Sequence, residues 1–470
     1  MNLPDLFLAD LGPGLTLSPE TLREAAFAVR RNRQQWLLRQ RTRTLVELLA
    51  YVGAQWLDPH NSFRKRAISD GAEDTGFGPA TLARGLDRFF EGLTVENLEA
   101  LIVQDLGDLK RLDGFSGTMP ELRTGRMSFA RGPAMLAHFC AGNLPIPTLM
   151  NLVLGVLTKS AQFFRLSRRG GLIPRLFAHS LAALEPKMGS CLEFACWPRE
   201  RVDLDETLLT ESECATVTGS NERVAALRRL LPDGVRLVPY GHRVSLAYIA
   251  SEMLTVYGLK RLAAAAAEDI AAWNQQGCLS PHVIYVQENG VIAPEGFAEA
   301  LAGELERLER IDPRGDLHPA ESQAIASART VYEMRRLAGG GLIDRNPEGS
   351  LFFDGACHVR LWQSEGSTAW TIVLDSDPLF RASCLNRFIQ VKPVKAFADV
   401  LRFAEPVRGY VSTAAVAAPD DLMAEHALQL AHWGATRICP LGRMQSPPLL
   451  WRHDGRPALA DLITWVDLES

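Results

Sequence analysis

Trp273-Asn274-Gln275-Gln276-Gly277-Cys278-Leu279-Ser280-Pro281 stands between two segments of opposite habit. The Ala-rich stretch Leu262–Trp273 enters it with the composition of a helix, and the β-branched run His282-Val283-Ile284-Tyr285-Val286 leaves it as a strand. A helix is therefore expected to end at Gln275–Gly277, with Cys278 on the tight connection that follows. A polar, Gly-containing turn with free backbone N–H groups is a place where a thiolate can form and an oxyanion can be held. A buried core cysteine fits the local residues equally well, so the remainder of the chain has to decide.

Working outward, the helix–strand alternation extends both ways. Upstream, strands are expected at Ala134–Cys140, Gln162–Leu166, Cys191–Cys196, Ala215–Val217, Val235–Val238 and Ser245–Ile249, with helices over 147–158, 172–185 and 221–231. Downstream, strands are expected at His282–Gln287, Ser350–Phe353, Trp370–Leu374, Phe388–Val391, Gly409–Thr413 and Thr436–Cys439. Helices over 295–310, 320–337, 395–404 and 419–433 separate them. Such alternation predicts parallel sheets with helices on both faces, an α/β class. Residues 1–120 read as helical: Ser18 caps a helix reaching about Trp56, and a second helical region runs from Thr81 to Asp108. Asp312–Pro319 and Ala338–Gly349 are the expected loops. The economical division is 1–265 (helices plus a nucleotide-binding α/β domain), 266–440 (the α/β domain carrying Cys278) and 441–470, a segment packing back or lying at an oligomer interface.

Bulk properties exclude several classes. The 470 residues are 47% hydrophobic and 22% charged, with 50 basic against 55 acidic residues, a balance that disfavours a dedicated nucleic-acid surface. The basic stretch Arg30–Arg43 is the solvated face of a helix whose other side carries Leu37, Leu38, Leu45, Leu48 and Leu49. The start of the chain lacks the pattern of a secretory signal. The longest run without charge, Gly132–Thr158, is broken by Gly142-Asn143-Leu144-Pro145-Ile146-Pro147, so no membrane span is expected. Eight cysteines without a CxxC pair and ten histidines without HExxH suggest a reducing cytoplasm and no metal site.

GxGxxG, GxxxxGK[ST] and GxSxG are all absent. Asn143-Leu144-Pro145 instead sits between a strand and an apolar helix. Arg165-Leu166-Ser167-Arg168 ends a strand, and Thr218-Gly219-Ser220-Asn221 joins a strand to a helix N-terminus suited to a phosphate. In this order and spacing the pieces resemble the aldehyde dehydrogenase superfamily: its Asn-Phe-Pro, Lys-Pro-Ser-Glu, Thr-Gly-Ser, Gln-Gly-Cys and Glu-Ile-Phe segments match Asn143–Pro145, Arg165–Arg168, Thr218–Ser220, Gln276–Cys278 and Asn386–Phe388. Gln275–Pro281, Asn386-Arg387-Phe388-Ile389 and His453-Asp454-Gly455 are more narrowly similar to the LuxC family, the acyl-CoA reductase subunits of bacterial luminescence fatty-acid reductase. The similarity runs from about residue 20 through most of the chain.

The resemblance implies an aldehyde-dehydrogenase-like fold and a thioester reductase. Cys278 would be the nucleophile and the Asn143 amide an oxyanion donor. Arg165, Ser167, Arg168, Thr218, Gly219, Ser220, Asn386 and Phe388 would hold the cofactor. Aldehyde-oxidising relatives activate water with a Glu in a Glu-Leu-Gly-Gly segment. Here Pro239-Tyr240-Gly241-His242 stands there without a carboxylate, which favours acyl transfer over hydrolysis unless Glu268 or Asp269 serves. Arg168 replaces a Glu that bonds the adenosine ribose, so NADPH is expected over NADH. Asn386 replaces a Glu that contacts the nicotinamide ribose. His242 is the candidate proton carrier, a loop histidine with a structural or solvent-facing role as the alternative. The acyl chain is expected along apolar residues of helix 147–158, where plain core is the alternative. The implied partners are an acyl-CoA or other acyl-thioester substrate, an acyl-protein synthetase and further copies of the chain. The competing readings are an NAD(P)-dependent dehydrogenase of free aldehydes and a catalytically idle nucleotide-binding subunit.

Overall fold

Ser18 Oγ accepts from the Thr21 amide at 3.2 Å and starts α1 (Pro19–Gln35). The long helix expected from there to Trp56 is two helices. A short 3₁₀ turn at Leu37–Arg39 breaks it, and α2 (Thr42–Leu57) begins where the Thr42 amide and hydroxyl donate to Asp113 Oδ1 at 2.9 and 2.7 Å. That cap comes from 71 residues away. The helical region continues as α3 (Ser62–Thr75), α4 (Pro79–Glu91), α5 (Val95–Leu106) and α6 (Met119–Arg123). The computed structural model describes residues 3–12, 16–338, 341–345, 351–354 and 358–469.

Strand β1 (Arg126–Arg131) precedes a regular alternation: β2 (Met135–Phe139), α7 (Ile146–Leu157), β3 (Ala161–Leu166), α8 (Leu172–Leu184), α9 (Pro186–Gly189), β4 (Leu192–Cys196), α10 (Val202–Thr210), β5 (Cys214–Thr218), α11 (Asn221–Arg229) and β6 (Arg236–Tyr240). Strands β2–β6 form a parallel sheet in the order β4-β3-β2-β5-β6. The chain moves from β2 to one edge and then returns past it, so the order reverses between β2 and β5, the point at which open α/β sheets leave a crevice at their strand C-termini. Inside, β5, β2 and β3 are cross-linked by side chains. His138 Nδ1 lies 2.7 Å from Thr216 Oγ1, its Nε2 lies 3.1 Å from Gln162 Oε1, and the ring stacks on Phe164. Burial pushes this imidazole down to about 3, so it is neutral.

The second series is β7 (Val244–Ile249), α12 (Leu259–Ala271), β8 (Pro281–Gln287), α13 (Pro294–Ile311), α14 (Pro319–Leu337), β9 (Gly341–Arg345), β10 (Leu351–Asp354), β11 (Val359–Gln363), β12 (Thr371–Asp375), β13 (Phe388–Val394), α15 (Phe397–Phe403), β14 (Val411–Ala417), α16 (Asp420–Trp433) and β15 (Ile438–Pro440). The seven-stranded order is β11-β12-β13-β8-β7-β14-β15, parallel except at β11. Side chains along each strand alternate between two cores. Ala247, Ile249, Ile284 and Val286 pack with Ile270 of α12 and Phe297 and Leu301 of α13. Leu246, Tyr248, Val283 and Tyr285 pack with Val400 of α15 and Leu430 and Trp433 of α16. Covered on both faces, these strands read as continuous apolar runs. The loop expected over 338–349 contains β9, which pairs with β10; Ser350, expected to open a strand, lies outside the described residues.

The chain divides into two compact units, 1–75 with 82–242 and 448–470, and 76–81 with 243–447. The division falls at 242/243 instead of 265/266 because β7 pairs with β8 and β14. In the first unit, the final strand β16 (Thr464–Glu469) pairs antiparallel with β1. Among the described residues no helix is long and apolar enough to cross a membrane.

Candidate active site

Helix α12 ends at Ala271, short of the expected Gln275–Gly277, because the residues after it adopt an unforeseen backbone. Trp273, Asn274 and Gln275 all occupy the left-handed region, with φ of 51°, 50° and 63°. L-residues reach it at a cost of about 1–2 kcal/mol each, so three in succession persist only where their surroundings fix them. The fixing groups are identifiable. Asn274 Nδ2 donates to the Arg314 carbonyl at 2.7 Å, and Gln275 Nε2 donates to the carbonyls of Pro281 and Phe388 at 2.7 and 2.9 Å. The Trp273 indole meets Phe77 edge-on.

A second left-handed triplet, Leu385-Asn386-Arg387 (φ 66°, 57°, 64°), precedes β13 and locks onto the first. The fully buried Arg387 donates from Nε to Asn274 Oδ1 at 3.2 Å, from Nη1 to Glu309 at 2.7 Å and from Nη2 to the Asp312 carbonyl at 3.0 Å. Gln276 Nε2 donates to Asn386 Oδ1 at 3.0 Å. Behind this loop, Arg335 forks onto Asp375 at 2.8 and 2.9 Å, and buried Lys392 holds the Asp377 carbonyl at 2.6 Å. Asn386 and Phe388 are thus interior residues that shape the cysteine loop.

Cys278 emerges from this frame partly exposed, in a turn closed by the Ser280 amide on the Gly277 carbonyl at 3.0 Å. Its own carbonyl accepts from Ser245 Oγ at 2.6 Å. The turn lies at the N-terminal edge of the second sheet, ahead of β8. Other described thiols are poorer candidates for nucleophiles: burial pushes Cys140, Cys191 and Cys214 up to about 12 and Cys384 and Cys439 up to about 11, and it also raises Cys196, which is exposed on the first unit. Asp269, the alternative carboxylate, accepts from the Gly442 and Met444 amides at 2.6 and 3.0 Å, and burial pushes it up to about 7.

In the first unit the β2–α7, β3–α8 and β5–α11 loops stand at the strand C-termini. Asn143 is exposed on the first. A Cβ on Gly142 would lie 1.9 Å from Ser167 Oγ, and one on Gly170 (φ +75°) would lie 2.4 Å from the Gly142 carbonyl, so the first two loops meet through bare backbone. Ser167 Oγ donates to the Arg169 carbonyl at 2.5 Å, while Arg168 and Arg169 are exposed. Arg165 points inward: it donates to the Trp197 carbonyl at 3.0 Å beside fully buried Asp205. On the third loop Ser220 caps α11 by accepting from the Arg223 amide, and a Cβ on the preceding Gly219 would meet only Arg223 at 3.7 Å. His242 is exposed near Glu222, its amide donating to Asn221 Oδ1 at 2.9 Å. Pro239 stands at the position of the absent Glu, and the next residue, Tyr240, stacks on His453 with centroids 4.5 Å apart. Helix α7 is buried over most of its length, which fits plain core.

Sequence reasoning missed the paired left-handed triplets and the Asp269 and Arg314 contacts. Only Asn274 and Asn386, a residue type tolerant of that backbone, signalled the triplets.

A family model described as acyl-CoA reductase (LuxC) matches residues 37–465. A long-chain acyl-protein thioester reductase of Aliivibrio fischeri is 22% identical over 432 residues, covering 90% of this chain and 82% of that protein. Its counterpart in Photorhabdus laumondii is 22% identical over 433 residues, 91% and 82% of the two chains. Among solved structures, an NAD-dependent benzaldehyde dehydrogenase from Corynebacterium glutamicum superposes with a TM-score of 0.66 at 14% identity, over 97% of this chain and 91% of that one. A glyceraldehyde-3-phosphate dehydrogenase from Methanocaldococcus jannaschii, complexed with NADP, gives 0.66 at 13% identity, over 97% and 95%. The fold is that of the aldehyde dehydrogenases.

Proposed function

The chain belongs to the LuxC family of acyl-CoA reductases, and on that premise we propose that it reduces a long-chain acyl thioester to the aldehyde through an acyl group carried on Cys278. The single observation that carries the reading is the partly exposed Cys278, presented by a buried, doubly left-handed frame whose other described thiols are held protonated.

The Cys278 thiolate attacks the thioester carbonyl, a new carbon–sulfur bond forms, and the donor's thiolate departs with a proton from solvent or from His242. The backbone N–H of Cys278 and the side-chain amide of Asn143 are the proposed donors to the developing oxyanion. Loss of one such donor costs about 3–4 kcal/mol in the barrier, so Asn143→Ala is expected to lower turnover by roughly two to three orders of magnitude. The acyl group then has to escape hydrolysis. Support comes from Pro239 standing where a carboxylate would activate water, and from Asp269 being turned onto the Gly442 and Met444 amides.

A nicotinamide dinucleotide would be held at the crevice of the first sheet. Gly219 leaves space at the capped start of α11, and the exposed Arg168 and Arg169 suit a 2′-phosphate, hence NADPH. Bound there, it would supply a hydride to the acyl carbon, and breaking of the carbon–sulfur bond would release the aldehyde and return Cys278 as its thiolate. Arg165 acts in this reading by holding β3 against Trp197 and Asp205, and Asn386 and Phe388 by shaping the Cys278 loop. The acyl donor is an acyl-coenzyme A or an acylated protein.

The test is intact-mass analysis after mixing with long-chain acyl-CoA, for wild type and Cys278→Ala. Wild type should gain one acyl mass and free one equivalent of coenzyme A, the variant neither, and NADPH should then release aldehyde in an amount equal to the coenzyme A already freed. An adduct on the variant, or free acid as the only product, overturns the proposal.

A further inference from the structure

Arg437 stands immediately before β15, its carbonyl accepting from the Ala414 amide of β14 at 2.9 Å. Its side chain is buried and tightly held. Nη1 donates to the Met444 carbonyl and Nη2 to the Arg443 carbonyl, both at 2.7 Å, and Nη1 also reaches Thr413 Oγ1 at 3.4 Å. From Thr413 the connections lead to the cysteine turn: the Thr413 amide donates to Ser245 Oγ at 3.1 Å, and that hydroxyl donates to the Cys278 carbonyl at 2.6 Å. The turn gripped by Arg437 returns to the same place by another route. Gln445 Nε2 donates to Ser280 Oγ at 2.9 Å, two residues beyond Cys278, and Asp269 accepts from the amides of Gly442 and Met444. A long, flexible cation has been fixed by groups that also fix the backbone of the cysteine turn.

We infer that Arg437 is a positioning residue whose guanidinium charge keeps Cys278 in its thiolate form, an inference resting on Cys278 being the nucleophile proposed above. The ionisable groups in charge range of Arg437 are Cys278, Asp269 of α12 and Cys439 of β15, with Arg443 beside Cys439. Cys439 is pushed up to about 11 and is neutral at physiological pH; Asp269, pushed up to about 7, is divided between its two forms. Burial lowers the Arg437 pKa but leaves a guanidinium a cation. A fixed positive charge in a poorly solvated setting favours a neighbouring thiolate over the thiol.

The test measures alkylation of the whole protein by iodoacetamide as a function of pH, reading the Cys278 peptide by mass spectrometry without substrate or cofactor. The sulfur displaces iodide only as thiolate, so the midpoint of the rate profile is the titration of Cys278. Wild type should titrate well below the free-cysteine value of about 8.5. Arg437→Gln should move the midpoint up by about one unit or more, making alkylation at pH 7 about tenfold slower with an unchanged high-pH plateau, and Arg437→Lys should restore most of the shift. An Arg437→Gln midpoint equal to wild type overturns the inference. If Arg437→Gln does not fold, the wild-type profile decides alone: a midpoint at or above the free-cysteine value overturns the inference just as well. The two proposals fail separately. Alkylation that depends on Arg437 in a protein that accepts no acyl group removes the reductase reading alone, and acylation of Cys278 with an alkylation midpoint indifferent to Arg437 removes only this one.

Discussion

Replacing Asn274 probes the frame around Cys278 at its most constrained point. Asn274→Ala deletes the donor to the Arg314 carbonyl and the acceptor for Arg387 Nε, and leaves both partners buried. A neutral hydrogen bond contributes about 1 kcal/mol and one to a charged group about 2 kcal/mol. Alanine also tolerates φ of 50° less well than asparagine, which adds about 1 kcal/mol. The expected loss is therefore about 4 kcal/mol, a large part of the 5–15 kcal/mol of an ordinary folded domain. Asn274→Gly loses the same two bonds but accepts the left-handed backbone. It should be less damaging than alanine by about 1 kcal/mol, despite its greater freedom when unfolded. Urea unfolding followed by tryptophan fluorescence, with Trp273 adjacent to the substitution, gives the comparison from midpoints at equal slope. Both variants should also alter the rate of Cys278 alkylation, because the turn would no longer be held in one conformation. An alanine variant no worse than the glycine variant would refute the idea that backbone strain is stored there. Losses below about 1 kcal/mol in both would refute the hydrogen-bond part as well.

His138 is neutral when folded, pushed down to about 3, but binds a proton near 6.5 when unfolded. Its contribution is therefore present above pH 6.5 and lost as the pH falls, by about 2 kcal/mol at pH 5. Glu193 and Asp269, both pushed up to about 7, act in the opposite direction, so the measurement is the difference in pH dependence of unfolding between wild type and His138→Gln, which should have a flatter acid limb. Asp375→Asn leaves Arg335 and Lys392 without their shared carboxylate and should cost about 3–5 kcal/mol in thermal unfolding, partly recovered by adding Lys392→Met. Arg168→Glu should lower the ratio of kcat/KM for NADPH over NADH by about tenfold or more, through repulsion of the 2′-phosphate; an unchanged ratio removes Arg168 from the cofactor site.

Legibility in the sequence followed the range of the interactions involved. The strands of both sheets were readable because runs such as Val283–Val286 and Phe163–Leu166 are buried on both faces and carry no competing pattern. The thiol at a helix-to-strand turn was readable for the same reason, since its flanks are locally decisive. The break between α1 and α2 was not, because Asp113 supplies the cap from far along the chain. Nor were the left-handed triplets, which are fixed by each other and by groups distant in sequence such as the Arg314 and Asp312 carbonyls. Arg165 shows the same limit: a basic residue at a strand end reads as a ligand group, yet Trp197 and Asp205 draw it inward.

The discontinuous make-up of the first unit has a consequence for biosynthesis. Arg236 grips the carbonyls of Asp461 and Ile463, Arg456 bonds the Pro239 carbonyl, and β1 waits for β16. During translation, residues 243–447 leave the ribosome before these partners of the earlier segment exist. The half begun first is thus completed last, and until then β1 offers an unmatched edge for which chaperones and neighbouring nascent chains compete.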